Sequence, residues 1–150
     1  MTHAAEFLGR LHPLILHFPL ALLILGAAAE GVRVFRDSEF LGRLAVWMFG
    51  FGAITAVLAA GSGWLLAGHE HIRSDERVLL QWHRWLGVAT AAVSTIGWLW
   101  SVRPVNGPWN YARRIVIFAS ALLVIAAGYF GGELVWGRDW LAISEAHSGE

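Results

Sequence analysis

The chain contains no cysteine and no lysine. Without cysteine there is no disulfide, no thiolate metal site and no covalent c-type haem attachment. All eleven basic residues are arginine, and eleven acidic residues bring the formal net charge to zero. That balance excludes the basic surface on which nucleic-acid binding depends. Charge of either sign is scarce, 15% of residues, where a soluble domain carries roughly 25%. What is plentiful is apolar: 57% of residues are hydrophobic, and they gather in four long blocks. An all-α integral membrane protein follows, a four-helix up-down-up-down bundle in one transmembrane domain over residues 1–150, with the lipid bilayer as its first partner.

The blocks predict helices over about 13–34, 41–66, 75–100 and 114–136. Ala27-Ala28-Ala29 mimics a signal-peptidase site. The first nine residues carry Glu6 and no Lys or Arg, so the first segment is expected to be a retained helix. Pro13 suits a helix start. Pro19 lies inside and removes the bond to the Ile15 carbonyl, which predicts a kink beside His17. Gly52, Ala56, Ala59 and Gly63 form a small-residue stripe on the second helix, fit for close helix packing or for the approach of a flat cofactor. Ser74 is the expected cap of the third helix. His83 heads a stripe of Gly87, Thr90, Ser94 and Gly97 that should face the bundle. No second domain and no internal repeat is apparent.

Six arginines (Arg33, Arg36, Arg43, Arg103, Arg113 and Arg114) flank the first and third loops, against Arg10, Arg73, Arg77 and Arg138 at the other side. The bias predicts a bacterial inner-membrane protein with both termini outside the cytoplasm. The topology then sets His12, His17, His69, His71, His83 and Glu133 at one membrane face. Ionisable groups in apolar helices are site candidates by default, and His17 and His83 lie within such helices. Two imidazoles opposed across a bundle are what a b-type haem requires, so His17 and His83 are the expected axial ligands of one haem b iron. His12 lies about 140° around an ideal helix from His17; with His69 or His71 it would serve a second site nearer the surface. Arg73, Arg77 and Arg84 are placed to meet propionates. Glu133, sharing a face with Tyr129, could steady a ligand histidine or be a structural acid.

These motifs resemble an uncharacterised family of small four-helix bacterial membrane proteins, a domain of unknown function. His12-Pro13 with His17-Phe18-Pro19 matches the family's HPxxxHFP pattern, and Gly131-Gly132-Glu133-Leu134-Val135 its closing stretch. Where members often continue with a His-Gly pair, this chain has Arg138-Asp139. The resemblance spans nearly the whole chain and implies the fold; the family has no agreed activity. Trp82-His83-Arg84-Trp85-Leu86-Gly87 also looks like a segment of the ascorbate-reducible diheme cytochromes b, in which the histidine binds haem.

The leading expectation is therefore a haem b electron carrier, alone or as a subunit of a larger redox complex, with other redox membrane subunits or a c-type cytochrome as partners. A stand-alone enzyme is less expected than a carrier. A second reading is a non-haem site for Zn, Fe or Cu on His12, His17, His83 and Glu133. A third is a cofactor-free accessory subunit that packs against partner membrane proteins.

Overall fold

The computed structural model describes residues 3–68, 76–103, 109–137 and 140–141. Among the described residues the only regular elements are helices: α1 (His3–Arg10), α2 (His12–Ile15), α3 (His17–Phe35), α4 (Glu39–Ala67), α5 (Arg77–Ser101) and α6 (Trp109–Trp136). The first three form one stretch of membrane-crossing length, His3–Phe35. It starts ten residues before the expected Pro13, because Ala4, Ala5, Phe7 and Leu8 extend the helix ahead of the prolines.

The two breaks in this stretch have one cause. A proline nitrogen cannot donate to the carbonyl four residues back, so Pro13 leaves Gly9 and Pro19 leaves Ile15 without that partner. The chain breaks at Leu11 and at Leu16, each within the segment the proline leaves unbonded. Leu11 N instead donates to the Leu8 carbonyl at 3.3 Å, a tighter turn. Beside His17, where a kink or a freed carbonyl is expected, the helix is interrupted at Leu16. Gly9 lets α1 lie directly on the end of α4, since a Cβ there would stand 2.9 Å from the Leu66 backbone nitrogen.

Helix α4 starts at a Ser38 cap whose hydroxyl accepts from Leu41 N at 3.4 Å. Helix α6 runs out at Gly137, which takes a φ of 90° that a side chain would strain. The expected Ser74 cap lies outside the described residues. Helices α3 and α4 form one antiparallel pair, α5 and α6 a second. Contacts of α4 with α5 and of α3 with α6 close the bundle.

Three stretches are long and apolar enough to cross a membrane: His3–Phe35, Glu39–Ala67 and Asn110–Trp136. Helix α5, expected as a fourth span, has 25 residues but is too polar to qualify. Arg77, Gln81, His83 and Arg84 crowd its first turns. Further along, Thr90 and Ser94 are buried and turn their hydroxyls onto the Leu86 and Ala91 carbonyls. The polar stripe does face the bundle, as its spacing predicts.

The interior is built from small side chains and the exterior from large apolar ones, the arrangement a lipid solvent permits. Leu23, Phe49 and Ile117 are the large side chains fully enclosed, while Leu25, Phe51, Ile54, Val57, Leu122 and Ile125 point outward. A repeat unseen in the sequence emerges here. The buried positions of α4 (Phe49, Gly52, Ala53, Ala56, Ala59) recur at the same intervals on α6 as Ile117, Ser120, Ala121, Val124 and Ala127. Leu23 and Ser94, both fully buried, occupy equivalent places on α3 and α5. The second helix pair repeats the burial pattern of the first with different residues.

Candidate functional site: a histidine from each helix pair

The repeat extends to two histidines. His12 Nδ1 lies 2.9 Å from the Ala59 carbonyl, and His83 Nδ1 lies 2.8 Å from the Ala127 carbonyl. Ala59 and Ala127 are equivalent positions on α4 and α6. A carbonyl only accepts, so each Nδ1 carries a proton, and in the neutral ring Nε2 is the nitrogen with the lone pair. His12 Nδ1 also approaches Ser62 Oγ at 3.3 Å, and that hydroxyl is itself bonded to Ala59 O at 3.1 Å.

One turn beyond each carbonyl stands a glycine that makes room for the ring. A Cβ on Gly63 would meet His12 Cε1 at 2.8 Å, and one on Gly131 would meet His83 Cε1 at 3.0 Å. The small-residue stripe on α4 thus ends on an imidazole. The adjacent Gly132 does the same for Trp140, whose ring a Cβ would meet at 2.6 Å. Both glycines of the Gly-Gly-Glu pair are explained by rings lying against helix backbone.

The two imidazoles face each other across the bundle, centroids 5.9 Å apart and planes at 80°. A metal at about 2.0–2.1 Å from a nitrogen of each ring would separate two opposed centroids by roughly 6 Å. Neither Nε2 has a hydrogen-bond partner among the described residues, so both lone pairs are available. A metal-binding histidine typically has its other nitrogen fixed in this way by a carbonyl.

Beside the pair, Arg84 lies with its guanidinium carbon 3.7 Å from the centre of the Trp64 ring. Its Nε is buried and without a hydrogen-bond partner among the described residues. Trp85 meets Trp64 edge to face at 6.0 Å. Gly87, one turn past His83 on the same face, has no atom within 4 Å of where a Cβ would stand. Space therefore remains open along α5 next to the ring.

The structure sets His12, and not His17, beside His83. His17 is exposed at the start of α3, and His12 takes the place opposite His83. Arg77 is exposed at the start of α5, while His69, His71 and Arg73 lie outside the described residues. Glu133 is half-buried and accepts from Tyr129 Oη at 2.8 Å. The four-ligand set of His12, His17, His83 and Glu133 is not assembled: among the described residues no three His, Asp or Glu side chains group as metal ligands do.

A protein-family model described as a predicted membrane protein, DUF2231, matches residues 10–140. The chain belongs to this family. The DUF2231 match takes in His12, Gly63, His83 and Gly131, the four residues of the paired site. No curated protein and no solved structure matches the chain.

Sequence reasoning missed a second buried cluster, at the opposite end of the bundle. Glu30 is fully enclosed and accepts from three guanidiniums: Arg113 at 2.9 Å, Arg114 at 3.0 Å and Arg33 at 3.2 Å. In the sequence these three arginines read only as orientation markers. The available signal was Glu30 itself, a lone acid after Ala27-Ala28-Ala29 in an apolar run.

Proposed function

We propose that this DUF2231 member is a membrane electron-transfer protein in which His12 and His83 are the axial ligands of a b-type haem. The observation that carries the reading is the opposed pair of imidazoles, each with Nδ1 committed to a carbonyl and Nε2 free. Two facing imidazoles, with no third His, Asp or Glu grouped beside them among the described residues, would suit an iron whose remaining ligands come from a macrocycle. A structural or catalytic zinc ion calls for three or four protein ligands. The haem iron, when bound, supplies a one-electron ferric–ferrous couple. Ala59 and Ala127 hold the ring tautomers, Gly63 and Gly131 set the ring positions, and the unpartnered Arg84 Nε offers a donor to a propionate. Held by both histidines, such an iron would have no position open to a small ligand, which suits electron relay to another redox subunit or a c-type cytochrome better than oxygen chemistry.

The absorption spectrum of the purified protein tests this directly. A low-spin bis-imidazole Soret band is expected. His12→Ala and His83→Ala should each abolish it or leave a five-coordinate, ligand-accessible iron, while His17→Ala should leave it unaltered. Loss with His17→Ala and retention with His12→Ala would reinstate the other pairing. Bound metal without a Soret band would favour a non-haem site, and neither would favour a packing subunit.

The same reading places the protein in a bacterial inner membrane with the histidine end outside the cytoplasm. It rests on the arginine bias. A cysteine replacing Ser38 should be shielded from an impermeant thiol reagent in whole cells; ready labelling would reverse the orientation.

A further inference from the structure

At the arginine end, a cleft of about 570 Å³ opens between the ends of α3, α4, α5 and α6. Arg33, Arg43, Arg103 and Arg113 line it, with Glu39 as the single carboxylate and Trp47 as its large aromatic wall. Four guanidiniums against one carboxylate leave three formal positive charges. Glu39 is exposed and paired with Arg43 at 3.1 Å.

Two of the arginines are fixed in place. Arg33 gives Nη1 to buried Glu30, and its guanidinium lies on α4 where Gly42 leaves room: a Cβ there would meet Arg33 Cζ at 3.1 Å. Arg113 gives Nη2 to the same carboxylate. Each has five N–H donors and uses one on Glu30, so donors remain on the side chains that line the cleft. Glu30 itself is outnumbered three to one by the guanidiniums bonded to it. The cluster is held in position by its own carboxylate and stays cationic.

We propose that this cleft binds the phosphate of an anionic phospholipid headgroup. Phosphate matches the fork of a guanidinium and its charge matches the surplus. A lipid is favoured over a free anion because of where the cleft lies. Trp47, two-thirds exposed, is stacked on Phe51 at 5.9 Å on the apolar outside of α4, and Phe35 and Phe40 stand exposed at the same end. A tryptophan at a charged helix end belongs at the bilayer interface, where headgroups sit beside the opening. Basic pockets between membrane helices bind such headgroups elsewhere.

Native mass spectrometry of the detergent-purified protein, titrated with phosphatidylglycerol or phosphatidylcholine, tests the assignment. One phosphatidylglycerol should be retained per chain in preference to phosphatidylcholine. Arg103→Gln and Arg43→Gln should each weaken retention about fivefold, and Glu39→Gln should strengthen it. Arg103 has no bond to Glu30, so its loss spares the buried cluster, and an unchanged melting temperature for that variant confirms that it folds. Equal retention by wild type and Arg103→Gln, or no preference between the lipids, overturns the proposal. Displacement of phosphatidylglycerol by millimolar inorganic phosphate would also overturn it, assigning the cleft to a soluble anion. None of these outcomes depends on haem.

Discussion

The two ends of the bundle both hold ionisable groups inside apolar helices, and they do so in opposite ways. At one end, each imidazole is tied through Nδ1 to a backbone carbonyl, and its Nε2 has no partner among the described residues. At the other, Glu30 takes three donors on two oxygens, so its acceptor capacity is engaged by charged partners. A group that serves only to join helices has its bonding capacity consumed by the protein. A group that serves to bind leaves some of it open. By this criterion Glu30 joins α3 to α6, while His12 and His83 keep the open capacity that the proposed function requires.

Removing the join should produce the largest effect. Glu30→Ala strands three guanidiniums around an empty site in the helix interior. Breaking a buried ion pair by deleting one partner costs about 3–5 kcal/mol. Thermal unfolding in detergent should show a variant near the limit of stability, with any bound haem lost only as the fold is lost. A melting temperature within a few degrees of wild type would mean that Glu30 is incidental.

An intermediate effect is expected at the glycines beneath the rings. Gly63→Ala and Gly131→Ala each place a methyl group against an imidazole. Overpacking of that kind costs about 1–3 kcal/mol, and it should shift the ring from its carbonyl. The two variants should resemble each other, in loss of cofactor as in stability, because the two helix pairs are equivalent. Gly87→Ala, which enters open space, is the control and should fold normally. A large effect at Gly63 with none at Gly131 would break the equivalence of the two halves.

Much of the fold was legible because its causes are local. Four apolar blocks predict four helices, and α4, α5 and α6 run to within a few residues of expectation except for the start of α6, at Trp109 and not Arg114. Proline chemistry alone predicts the interruption at Leu16. The histidine pairing was not legible, for a reason of length. With the first helix starting at Pro13, His12 belongs at the surface; with the span starting at His3, it lies nine residues inside. The repeat was hidden because equivalent positions share burial and not identity. Leu23 answers to Ser94 and Phe49 to Ile117, pairs that no comparison of letters brings together. The Glu30 cluster was hidden because two of its three arginines, Arg113 and Arg114, are more than eighty residues away in sequence and reach Glu30 only when α3 meets α6.

The smallest effect is expected at Glu133, and it sharpens the distinction between joining and binding. Its carboxylate accepts from Tyr129 Oη, one turn back on α6, at 2.8 Å, so the carboxylate is bonded to a hydroxyl on its own helix. Glu133→Gln keeps a side-chain oxygen at the same place and can still accept that bond, removing only the charge. A substitution of this kind at a partly exposed position is worth about 0.5 kcal/mol or less. Melting temperature and haem content should therefore match wild type. A carboxylate steadying a ligand histidine would behave otherwise, with losses of roughly 10–100-fold in affinity on substitution. If Glu133→Gln releases the cofactor while the protein stays folded, Glu133 belongs to the binding end as a positioning residue, and its bond to Tyr129 is a resting arrangement.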